Sequence, residues 1–183
     1  MNIRYLTWPF FGFLTVICAG CRTPKETAHV TRDPSVDFSV YRTFAILPVE
    51  TGPGLDADTT RKVVVGAERG ARDALRDAGY SEAARDNADL VFYLHGKVLA
   101  PAPIANMGYQ PAPEAFGITS SQVARTSNSH IFVEGYDNHT RRQVWMDWVE
   151  CTCTHVVPSR IEGEIHHVLE GFPVRVRTIS QPE

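Results

Sequence analysis

The chain has 183 residues and a formal net charge of −3, with 43% hydrophobic and 10% aromatic residues. That length supports one hydrophobic core rather than several, and the composition excludes a disordered chain. The mild acidic balance offers no basic field for nucleic acid or anionic lipid head groups, and four cysteines are too few for a disulfide framework.

The first twenty-one residues run from a positively charged Met1-Asn2-Ile3-Arg4 start through an apolar stretch, Leu6 to Ile17, to Cys18-Ala19-Gly20-Cys21. The apolar stretch has the length of a signal-peptide core and falls short of the roughly 18 to 20 residues that a spanning helix needs. Small residues before a cysteine resemble the lipobox of bacterial lipoproteins, with Cys18 standing where Leu is usual. That resemblance implies cleavage after Gly20 and a diacylglyceryl thioether on Cys21. An ordinary signal peptide, giving a secreted or periplasmic protein, and a short uncleaved anchor are the alternatives. Arg22, where Asp would retain a lipoprotein in the inner membrane, implies an outer-membrane address on the periplasmic face.

Loss of residues 1–20 leaves 163 residues and, with Arg4 gone, a charge of −4. Residues 21–36 are polar and proline-punctuated and read as a tether, with Val30 a candidate start for an edge strand. Residues 37–176 read as one domain and 177–183 as a tail.

Within the domain, Phe38, Tyr41 and Phe44 lead into Ala45-Ile46-Leu47-Pro48, a first strand closed by proline. Oxygen-bearing side chains from Asp56 to Thr59 can cap a helix. Beyond them Val64, Ala67, Ala71, Ala74, Leu75 and Ala78 recur at steps of three or four, which predicts an amphipathic helix of about twenty residues ending at Gly79. Gly66 and Gly70 inside it each cost about 1 kcal/mol relative to Ala, so they imply close approach of a neighbouring backbone or, alternatively, of a ligand. A second strand runs from Leu90 to Leu99, and a helix between two strands favours a parallel crossover.

Residues 100–127 carry four prolines and read as a long surface loop, in which Met107, Tyr109 and Phe116 offer themselves for docking. His130 to Asp137 and Gln143 to Thr154, joined at Asn138-His139-Thr140, predict a hairpin. After Pro158, Ser159 to Glu162 has the form of a capping box, and Ile161, Ile165, Val168, Leu169 and Phe172 form the stripe of a final helix. The expectation is an α+β fold in β-α-β-β-β-α order, both helices on one face of a small mixed sheet.

Several landmarks recur together: Asp37-Phe38-Ser39-Val40-Tyr41-Arg42-Thr43-Phe44-Ala45, then Gly79-Tyr80, Ala88-Asp89-Leu90-Val91-Phe92-Tyr93, Val144-Trp145 and Phe172-Pro173. They resemble the bacterial lipoprotein family known as domain of unknown function 4136 (DUF4136), over most of the chain from about Val30 to Pro173. Ile46 stands where that family often has tryptophan. The resemblance implies a fold and an envelope address and no mechanism, because the family has no established activity.

Among chemical constellations, Cys151-Thr152-Cys153-Thr154-His155 would put two thiols and an imidazole on one strand face, soft ligands for zinc or copper(I), with His166 or His167 as a fourth. The spacing matches no familiar zinc motif; a Cys151–Cys153 disulfide and two packed thiols are the competing readings. For a hydrolase, Ser120 and Ser121 lack a nucleophile-elbow pattern, and His130 with Asp137 is a weak dyad. Asp147 and Glu150 flank Trp148 on opposite strand faces, and His95 and His139 each stand alone. The expectation is therefore a lipid-anchored, non-enzymatic binding or structural module without a cofactor. Its partners would be membrane lipid through Cys21 and an envelope protein or cell-wall component. A metal- or thiol-handling protein and an uncharacterised hydrolase are the alternatives.

Overall fold

The structure, a computed structural model, describes residues 31–51, 55–95, 102–112, 130–150 and 157–175. Helix α1, Ala57–Asp77, begins at Asp56, whose side chain accepts from the N–H groups of Asp58 and Thr59. It ends in a Schellman arrangement: Tyr80 N donates to Leu75 O at 3.0 Å and Gly79 N to Arg76 O at 2.9 Å, with Gly79 at φ +93°. The buried face of α1 is Gly66, Ala67, Gly70, Ala71, Ala74 and Leu75, the stripe that the spacing predicts.

That face packs on α3, Pro158–Leu169, through Ile161, Ile165, Val168 and Leu169. A Cβ on Gly66 would lie 2.5 Å from the Pro158 carbonyl oxygen, and one on Gly70 would overlap the Glu162 backbone. The two glycines thus admit the neighbouring helix backbone, and no room is left there for a ligand. Helix α3 starts differently from the expectation: Val157 is its N-cap, without a side-chain cap, and Pro158 occupies the first turn. Proline at the first helical position gives up only an N–H that has no intrahelical partner there and fixes φ for the helix, so the helix starts before Ser159, which falls inside it rather than capping it.

Behind the helices lies a six-stranded sheet in the order β1-β6-β5-β4-β2-β3. The strands are β1 Thr31–Arg32, β2 Thr43–Ile46, β3 Ser81–Glu82, β4 Leu90–His95, β5 His130–Asp137 and β6 Gln143–Glu150. β2 pairs in parallel with β4 and with β3, and the other neighbours are antiparallel. The fold is the expected α+β arrangement in β-α-β-β-β-α order, with both long helices on one face. Three short elements add to it. β1 lies within the segment read as a tether, at the place where Val30 is a candidate start for an edge strand, and pairs with β6 at the sheet edge, Thr31 opposite Met146. β3 extends the other edge, and α2, Ala102–Asn106, lies within the stretch read as loop.

Two cores result. On the helix side Phe44, Leu90, Phe92, Leu94, Val133 and Trp145 meet the α1 and α3 stripes. On the opposite face Ala45, Leu47, Val91, Tyr93 and Tyr136 are covered by Ile104 of α2 and by Tyr109. Ile104 is 1% and Tyr109 2% exposed, so the proline-rich stretch folds inward here and Tyr109 is not available for docking. Each such fully buried large side chain contributes roughly 1.5–3 kcal/mol. Phe38–Val40, expected to lead into the first strand, is a 3-10 turn capped by Asp37.

Candidate functional site

The sequence landmarks converge in space. Asp89 Oδ2 accepts from Arg42 N at 2.8 Å, Thr43 N at 2.9 Å and Thr43 Oγ1 at 3.0 Å, while Asp89 N donates to Thr43 Oγ1 at 2.9 Å. Two of the landmarks, the opening run and Ala88-Asp89, therefore bind each other and fix the parallel register of β2 and β4. Burial opposes ionisation of Asp89, but the Arg42 and Thr43 donors outweigh it and hold its carboxyl below the usual range. Tyr41 Oη donates to Asp137 Oδ2 at 2.8 Å, and Asp137 Oδ1 accepts from His139 N and Thr140 N, each at 2.8 Å. Burial again works against the charged form of Asp137; the Thr140, Tyr41 and His139 donors prevail and its pKa is lowered.

Phe172, just past α3, is the hub of the remaining landmarks. Its ring meets Phe92 at 5.2 Å, Tyr80 and Trp145 at 5.4 Å and Phe38 at 5.6 Å between centroids, mostly edge to face. Where the opening run, Gly79-Tyr80 and Phe172-Pro173 meet, a cleft of about 320 Å³ opens at the surface. Phe38, Tyr80 and Pro173 give it an apolar base, and Ser39, Arg42 and Arg175 supply its polar wall. Tyr80 Oη donates to Pro173 O at 3.0 Å, and burial, offset by the nearby Arg175 charge, pushes its hydroxyl up to about 12.

A second cluster lies on the face that α2 covers. Glu134, 8% exposed, accepts from Tyr136 Oη at 2.6 Å, and His95 Nε2 stands 3.5 Å from its other oxygen. Burial first, then the Glu134 carboxylate, raises the Tyr136 hydroxyl far above its ordinary value. Tyr93 is raised by burial and by its bond to Glu50. The His95 ring is stacked between Tyr93 at 4.9 Å and Phe132 at 5.2 Å, so it is structurally engaged. Nearby, Asn138 uses all its polar capacity: Nδ2 donates to Arg85 O and Ala88 O, and Oδ1 accepts from Tyr109 Oη and Arg141 Nη1. Arg141, at φ +61°, stands 4.7 Å over the Tyr109 ring; these contacts hold a left-handed conformation that a non-glycine residue adopts at a cost.

Cys21, the lipidation candidate, and Cys151, Cys153 and His155, the metal candidates, lie outside the described residues, as do Ser120 and Ser121. His166 approaches Asp77 at 3.3 Å and His167 approaches Glu170 at 3.0 Å, both half-exposed on α3. Among the described residues, no three His, Cys, Asp or Glu side chains form a group able to hold a metal ion, and no helix is long and apolar enough to cross a membrane. His130 and Asp137 stand at opposite ends of β5, which does not bring them together as a dyad. The cleft joins residues more than 130 positions apart; its sequence signal is that three of the landmarks each contribute lining residues to it.

No protein-family model matches the chain, and no curated protein matches it in sequence. Solved structures do. A DUF4136 family protein from Bacteroides thetaiotaomicron aligns over 82% of this chain and 98% of its own, with a TM-score of 0.50 and 12% identity. A PelC dodecamer from Paraburkholderia phytofirmans aligns over 82% and 99%, with a TM-score of 0.46 and 15% identity. At these identities the likeness is one of fold, and the first of these structures carries the family designation that the sequence landmarks resemble.

Proposed function

We propose that the chain is a lipoprotein of the bacterial cell envelope, held at the periplasmic face of the outer membrane through a diacylglyceryl group on Cys21. The domain it carries is a non-enzymatic binding or structural module. The observation that carries this reading is the leader itself: a charged start, an apolar run of signal-peptide length, then Ala19-Gly20-Cys21 followed by Arg22. The entry of the chain into the domain suits it. Thr31 pairs with β6 at one edge of the sheet, ten residues after Cys21, and ten residues span at most roughly 35 Å. A lipidated Cys21 would thus keep the domain within a short radius of the bilayer. The fold likeness to a DUF4136 family protein supports the same reading, as does the use of the landmark side chains in holding the fold.

Metabolic labelling with a radioactive or clickable fatty acid, combined with membrane fractionation, tests this. The wild-type chain takes up label and sediments with the outer membrane, and Cys21→Ala loses both properties. Label retained by the Cys21→Ala variant overturns the assignment.

A further inference from the structure

The geometry points to the cleft between Phe38 and Arg175 as a binding site for a small organic anion, one phosphate or carboxylate group carried on an apolar, ring-sized body. This goes beyond the anchoring reading and does not depend on it. Arg42 and Arg175 both line the cleft, and none of its lining residues is acidic. The arginine and lysine ion pairs among the described residues involve Arg61, Lys62, Arg69, Arg72, Arg76 and Arg142 and neither arginine of the cleft, in a chain whose overall charge is −3. Guanidinium presents its donors as a planar fork that matches a phosphate or carboxylate. Ser39 also lines the cleft, with its hydroxyl and its N–H both engaged by the Asp37 carboxylate, which itself is not among the lining residues.

The base of the cleft selects for the rest of the ligand. Phe38 is 8% and Tyr80 3% exposed, and both rings are locked against Phe172. The main chain beside the cleft is fixed, because Arg175 N donates to Ala78 O at 2.8 Å and the positive φ of Gly79 brings that turn against Arg175. Val174 lines the mouth at 69% exposure, an apolar surface that a bound ring would cover. A volume of about 320 Å³ is at the lower end for small-molecule pockets, which run to about 1,000 Å³, so the site takes a single ring or short chain and not a polymer.

Isothermal titration calorimetry of the full chain in detergent, against micelles alone, tests this with phenyl phosphate as probe and inorganic phosphate and benzyl alcohol as controls. Phenyl phosphate is expected to bind at one site, at least about tenfold tighter than either control, because charge and ring each contribute. The Arg42→Ala, Arg175→Ala double variant is expected to weaken it at least about tenfold. Both main-chain hydrogen bonds, Arg42 N to Asp89 and Arg175 N to Ala78, survive that change. Raising the salt on the wild-type chain must weaken binding as well, a readout that needs no variant. The proposal is overturned by absence of saturable heat with phenyl phosphate, by equal binding of inorganic phosphate or benzyl alcohol, or by affinity indifferent to salt or to loss of the two arginines.

Discussion

The two faces of the sheet are buried by different means. On the α1 and α3 side, burial is chiefly a matter of shape: small residues on α1 admit the backbone of α3, and four aromatic rings, Phe38, Tyr80, Phe92 and Trp145, interlock around Phe172, with Asp147 buried on the same face opposite Val133. On the α2 side the cover is a five-residue helix and its following turn, whose Tyr109 donates to Asn138 beneath it, while Tyr136 donates to Glu134 within the covered layer. A short element buries too little apolar area to hold itself down, so polar bonds supply what area does not. Stability on the first face should therefore respond to volume, and on the second to the pairing of polar groups.

The largest effect is expected from Phe172→Ala, which removes the ring that touches Phe38, Tyr80, Phe92 and Trp145. The four remaining rings cannot all relax into the space, and the cost should be about 3–5 kcal/mol in urea unfolding. A loss below about 1.5 kcal/mol would mean that the cluster closes over the cavity, and the contrast between the faces would fail on its stronger side.

Asp89→Ala comes next, at about 2–3 kcal/mol, because it leaves the N–H groups of Arg42 and Thr43 without their acceptor where β2 meets β4. This effect depends on pH in a fixed direction. The folded pKa of Asp89 is depressed below the unfolded value of about 3.9, so its stabilisation is complete above that value and disappears as pH falls through the folded pKa. Unfolding curves for wild type and Asp89→Asn should consequently converge between pH 5 and the acid limit. A gap that stays constant down to pH 2 would show that the charge is not what holds the register.

How legible these features were in the sequence follows the same division. The long α1 stripe, its Asp56 cap and its Gly79 terminus are local patterns, readable because a helix repeats its contacts every three or four residues. Gly66 and Gly70 signalled a close neighbour without saying which one. β1 and β3, at two residues each, are too short to show any alternation, and α2 is too short for a helical period. The Tyr109–Asn138–Arg141 network and the arginine-edged cleft join distant segments, and no spacing rule connects residues that meet only after folding. Asp89 was legible as a landmark and not as a partner of Thr43, because the bond spans 46 positions.

The smallest effect separates the faces most cleanly. Tyr136→Phe removes the donor 2.6 Å from Glu134 Oε2 while leaving the ring in place, and should cost about 1–2 kcal/mol. The cost arises from a buried carboxylate oxygen left without its partner, not from lost area. Replacing Glu134 as well, as Glu134→Met with Tyr136→Phe, removes the orphaned acceptor, and the double variant should cost no more than Tyr136→Phe alone. On the helix side no second truncation could restore stability in this way, since a cavity next to Phe172 only grows. A double variant that loses the sum of two separate penalties would show that Glu134 is held chiefly by other groups, His95 at 3.5 Å first among them. Hydrogen exchange on β5 and β6 amides would then locate the loss: confined to Glu134–Asp137 if the polar pair is a local lock, spread along both strands if it supports the whole face.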